Sequence, residues 1–125
     1  MGVNDFESVC VSHGVDYENT MDRFMNNKEM YLRFVGKLAE DNSIYELGEA
    51  LESGELSRAF SAAHNLKGVA GNMGLTKLFR LTGEIVEPLR REDKTVDYAP
   101  LYERIMTEFN KLPAFNEALG RALND

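Results

Sequence analysis

Apolar positions along this chain recur at spacings of three and four, the mark of helices that each bury one stripe. Met30, Tyr31, Phe34, Val35 and Leu38 make the plainest stripe, which stops near Glu40-Asp41-Asn42. Ahead of it, Asp16 is placed to cap a short helix with Tyr17, Met21 and Phe24 as its apolar positions, and Asn26-Asn27 reads as a turn. The first dozen residues predict a further helix with Phe6, Val9 and Cys10 inward. Ser43 with Glu46 three residues on has capping-box spacing. It opens a helix burying Ile44, Leu47 and Leu51, with Ser53-Gly54 as its stop. A helix from about Glu55 to about Met73 follows. Gly74 interrupts, and Leu75, Leu78, Phe79, Ile85 and Leu89 form the next stripe, where Pro88 kinks the helix or loosens its last turn. Beyond the polar loop Glu92-Asp93-Lys94-Thr95, a long helix carries Leu101, Ile105, Phe109 and Leu112. Pro113 bends or ends it, leaving Phe115 to Leu123 as a short terminal helix. No stretch shows sustained alternation, so no strand is assigned. Helices with short connections favour an all-α fold, an antiparallel up-and-down four-helix bundle with additional short N-terminal helix segments.

Composition narrows the function classes. The 125 residues read as one domain, residues 1–125, with room for a single core. A net charge of −7 argues against a nucleic-acid partner, because phosphate binding is driven by Lys and Arg. No apolar run approaches the roughly 20 residues that span a bilayer, and the N-terminus lacks the pattern of a secretory signal. The sole cysteine, Cys10, excludes an intrachain disulfide and points to a reducing compartment, so a cytoplasmic protein without membrane attachment is expected. With two histidines and one cysteine, no metal-ligand cluster and no hydrolase constellation emerges. The six methionines sit at helical spacing and read as packing. His13, beside Gly14 between helices, reads as a solvent-facing or capping residue.

The candidate chemistry lies in one run, Ala62-Ala63-His64-Asn65-Leu66-Lys67-Gly68-Val69-Ala70-Gly71-Asn72-Met73-Gly74-Leu75. At about 100° per residue, His64, Lys67, Gly68 and Gly71 share one helix face, while Leu66, Val69, Ala70 and Met73 take the opposite one. Glycine inside a helix costs about 1 kcal/mol relative to alanine, so two on the histidine's face suggest that another molecule approaches closely, with close helix packing as the other reading of Gly71. A lone helical histidine is most often a solvated surface residue; Lys67 and the glycines tell against that reading here. Phe60, one turn before His64, points to the same side and reads either as a docking anchor or as a core residue.

His-x-Leu-Lys-Gly followed by Gly71 and Asn72-Met73-Gly74-Leu75 resembles the histidine-containing phosphotransfer family, over a stretch from about Asp16 to about Arg91. The resemblance implies a four-helix bundle that is not an enzyme in its own right. It implies that His64 accepts a phosphoryl group from a receiver-domain aspartate and hands it to another receiver. By the family's pattern Nε2 is the reacting atom, and Lys67 neutralises the phosphoryl oxygens. Phe60, Gly68, Gly71, Leu75 and Arg90 then form the docking face. The expected partners are response-regulator receiver domains and a hybrid histidine kinase, meeting a monomeric protein. No cofactor is expected on this chain, since Mg²⁺ would arrive on the receiver. The competing expectation is a helical adaptor that docks receivers through the same face without using phosphate.

Overall fold

A computed structural model describes residues 5–124. They form eight α-helices: α1 (Asp5–Ser12), α2 (Tyr17–Arg23), α3 (Lys28–Ala39), α4 (Ser43–Glu52), α5 (Leu56–Asn72), α6 (Thr76–Arg90), α7 (Ala99–Phe109) and α8 (Leu112–Asn124). No strand occurs among the described residues; one isolated bridge joins Val15 to Leu75. Helix α5 packs between α4 and α6, and α6 packs on α7. Tyr102 of α7 crosses to α4, where it donates to the Ile44 carbonyl at 3.0 Å and lies over Gly48, closing the ring of four. Helices α3 and α1 pack on α8, which follows α7 after a break at Asn110-Lys111. The result is an up-and-down helical bundle with two short helices at its N-terminal end. No helix among the described residues is long and apolar enough to cross a membrane.

Local sequence explains most boundaries. The Asn27 side chain caps α3 by accepting from the Met30 amide at 3.0 Å. Gly54 and Gly74 follow α4 and α5 with φ of 72° and 70°, a conformation that glycine adopts without strain. The capping box expected at Ser43 does not form. Asn42 occupies the cap position, with the Asp41 carboxylate accepting from the Ser43 amide at 2.7 Å. Ser43 is thus already inside the helix and points its hydroxyl at Asn65. The break before the terminal helix also falls earlier than Pro113. Proline sits in the first turn of α8, where the missing N–H has no intrahelical partner to lose.

The core is built largely from the expected stripes. Phe34 and Phe79, expected inward, are instead 38 % and 42 % exposed. In α3 the buried stripe is narrower than expected: Tyr31, Val35 and Leu38 fill the inner face, and the part-exposed Phe34 meets the buried Phe24 edge-on at 5.5 Å. His13 is neither solvent-facing nor a cap; it stacks on Phe115 with centroids 4.1 Å apart, tying the end of α1 to α8. Cys10 is fully buried, and burial, aided by Glu7, pushes its thiol up to about 12, which leaves it an inert packing group.

Candidate functional site

Helix α5 presents Ala59, Ala63, Leu66 and Ala70 to the core at spacings of four, three and four. Three small side chains in that stripe let α5 approach its neighbours closely, and Leu66 anchors it. Met73 follows at 1 % exposure, held where the Tyr31 hydroxyl donates to its carbonyl at 2.8 Å. Val69 does not join this buried face; it is half-buried and borders an open groove. With its back fixed, α5 turns His64 to solvent.

The imidazole lies against the Phe60 ring, centroids 5.4 Å apart and planes 17° from parallel. Arg90 reaches the same ring from α6, its guanidinium carbon 5.0 Å from the centroid. Phe60 is half-buried and rests on the core, so it supports both groups. Arg90 also pairs with Glu87 at 3.5 Å; both side chains are exposed, and the pair contributes little. Lys67, one turn beyond His64, extends across Gly83 and carries its ammonium 5.4 Å from the centroid of Phe79.

The glycines divide. A Cβ on Gly68 would meet nothing within 4 Å, so this position is open beside His64. Next to it lies a groove of about 480 Å³ walled by Phe34, Lys37, Asn65 and Val69. Gly71 is different, because a Cβ there would stand 2.9 Å from two atoms of the Phe79 ring. Its missing side chain makes room for a neighbour within the fold instead of lengthening the open strip. Leu75 leaves the candidate docking face altogether, being 2 % exposed. Its amide bonds to the Ala70 carbonyl at 2.9 Å while that of Gly74 bonds to Gly71 at 3.2 Å. This is the Schellman ending, in which the residue after the glycine turns inward against the last helical turn.

Four contributors to this region were not singled out by the sequence pattern. Phe79 and Phe34 read as core by periodicity. Asn65 donates to Ser43 at 3.0 Å, pinning α5 to the start of α4. Arg23 of α2 donates to the Gly71 and Asn72 carbonyls at 3.3 and 3.1 Å, holding α2 against the end of α5. Only Arg23 carried a signal, a cation ending a helix, and nothing in it named α5. Among the described residues no three of His, Cys, Asp or Glu converge as metal ligands.

A family model, that of the Hpt domain, matches residues 29–123. No curated protein and no solved structure matches the chain. The matched stretch takes in all of α4 to α7 and nearly all of α3 and α8, with His64 on an outer face of its central helix. The chain belongs to the Hpt domain family.

Proposed function

We propose that His64 is the phosphoryl-carrying residue of this Hpt domain, loaded by the aspartyl phosphate of one receiver domain and unloaded by the aspartate of another. Hpt domains are phosphotransfer modules of two-component signalling, and they work with response-regulator receivers and kinases. The observation that carries the reading is an exposed imidazole, one turn from a lysine, beside a glycine whose outward side is empty. In the transfer, a lone pair on the His64 imidazole attacks phosphorus, a nitrogen–phosphorus bond forms, and the carboxylate leaves with its electron pair. An unprotonated imidazole nitrogen is needed for this attack. Phosphoryl transfer asks chiefly for alignment and charge stabilisation. Phe60 supplies alignment by stacking on the ring, Lys67 supplies positive charge, and Gly68 leaves space for the incoming group. The receiver brings the aspartate and Mg²⁺, and the chain acts as a monomer that docks through Phe60, Gly68 and Arg90.

The test is incubation with a receiver domain loaded by acetyl phosphate and Mg²⁺, read by intact mass. One acid-labile, base-stable phosphoryl group should appear on the wild type and be absent from His64→Gln. A receiver that binds the folded protein, without any such gain across a panel of receivers, would instead assign the face to phosphate-independent docking.

A further inference from the structure

Contacts between α5 and α6 step in opposite directions along two antiparallel helices: Phe60 with Arg90, Lys67 with Gly83, Gly71 with Phe79. Lys67 therefore starts level with Gly83, and its ammonium stands 5.4 Å from the centroid of Phe79, the residue that faces Gly71. Helical side chains lean toward the N-terminus of their own helix. For Lys67 that default leads to the turn of His64, whereas the ring its ammonium meets belongs to the residue facing Gly71, one turn further on. Two glycines make this course possible. The Cβ position of Gly83 is 3.7 Å from Lys67 Cε, ordinary contact distance, so the bare backbone gives the aliphatic chain a track. Gly71, lacking a side chain, admits the ring that receives the ammonium. Phe79 is 42 % exposed, so core burial alone does not account for a phenylalanine there.

We propose that Phe79 is a positioning residue for Lys67. It holds the ammonium on its ring while the imidazole is bare, and yields it once a phosphoryl group is bound. The role given to Lys67 rests on the phosphotransfer reading. Attraction to an aromatic face is modest at a partly exposed site, whereas a charge-assisted bond to phosphoryl oxygens is stronger, so the lysine transfers in the loaded state. Holding it back still has an effect, because the share of lysine kept on the ring is unavailable to the phosphoryl group. Gly71 and Gly83 thereby serve the site indirectly, through the lysine's path.

The experiment uses the whole chain and phosphoramidate as a partner-free donor. The reagent's phosphorus–nitrogen bond breaks, a new one forms on the imidazole, and ammonia leaves. Loss of the phosphoryl group from His64 is then followed by mass, with His64→Gln as blank. Phe79→Leu should slow the loss about two- to five-fold, the span of an exposed cation–π contact. Phe79→Tyr, which keeps the ring, should match the wild type, and in a Lys67→Ala background Phe79→Leu should change nothing. Independently of any phosphate, the Lys67 Hε protons should be shifted upfield by the ring in NMR spectra, and this shift should vanish in Phe79→Leu. An unshifted wild-type signal overturns the proposal, as does equal or faster loss in Phe79→Leu, or slowing that persists without Lys67. A ring-shifted Lys67 in a protein that no receiver or reagent can phosphorylate overturns the phosphotransfer reading instead.

Discussion

Replacing Gly68 with glutamine places a side chain on α5 where no heavy atom lies within 4 Å of the new Cβ. The backbone there is ordinary α-helix, so glutamine enters without conformational strain. Glutamine lies close to alanine on the helix-propensity scale and glycine about 1 kcal/mol below it, so the exchange should stabilise the fold by about 0.5–1 kcal/mol. For a domain of this size that corresponds to a rise in Tm of about 2–5 °C. Transfer should move in the opposite direction. The new side chain projects beside His64 into the space that an incoming receiver must occupy, and displacing reacting groups by about 1 Å can cost about 100-fold in rate. Thermal melting by circular dichroism and transfer from an acetyl-phosphate-loaded receiver together read both effects. A variant that is more stable yet about 100-fold slower fits a glycine retained for access. Transfer at the wild-type rate would refute the close-approach argument, and a lowered Tm would mean that Gly68 packs against something. The opposition of signs is specific to this position. At Gly74 a side chain would run into Thr20 and the φ of 70° would be strained, so fold and transfer would fall together there.

Leu66, 1 % exposed, pins α5 to the core, so Leu66→Ala should cost about 2–5 kcal/mol in urea unfolding; a loss below about 1 kcal/mol would refute its anchoring role. His13 should make stability depend on pH. Burial lowers its pKa below 6.5, Lys111 adds to this, and Glu108 opposes both. The unfolded chain then takes up the proton more readily, so the contribution is full above pH 6.5 and is lost as pH falls through the lower folded value. Tm of the wild type should therefore drop below pH 6.5 while His13→Phe, which keeps the ring on Phe115, stays flat; parallel curves would refute the assignment. Glu108 does not blur this window. Burial pushes its carboxyl up, but hydrogen bonds from Lys111 and Lys77 outweigh that and hold it below 4.5, so its loss falls at lower pH.

Periodicity made most of the bundle legible because helices that bury one face repeat it at three and four, and the inner positions of α4, α5 and α6 follow that rule. It overreached at Phe34 and Phe79, since hydropathy reports what a side chain prefers and not which neighbour is present to cover it. The capping box at Ser43 failed for a local reason: Asp41 and Asn42 took the cap first. Within the candidate site, His64, Lys67 and Gly68 could be placed from α5 alone, because residues one turn apart on a helix share a face whatever surrounds it. Gly71 could not. Its angular position matches an open strip, and only the presence of Phe79 on the adjoining helix turns it into a packing position.

That difference traces to register between helices, which no single-helix pattern contains. The turn Met73-Gly74-Leu75 sets it. Gly74 reverses the chain in a left-handed conformation, and Leu75 is drawn into the core by the bond from its amide to Ala70. From that fixed point α6 runs back along α5 and delivers Phe79 to Gly71, Gly83 to Lys67 and Arg90 to Phe60. One residue more or fewer in the turn would rotate α6 by about 100° relative to its present facing. Phe79 and Arg90 would leave the flank of α5, so the lysine would lose its aromatic partner and Phe60 its guanidinium. Leu75 thus bears on the site without touching it, as the pin of the register.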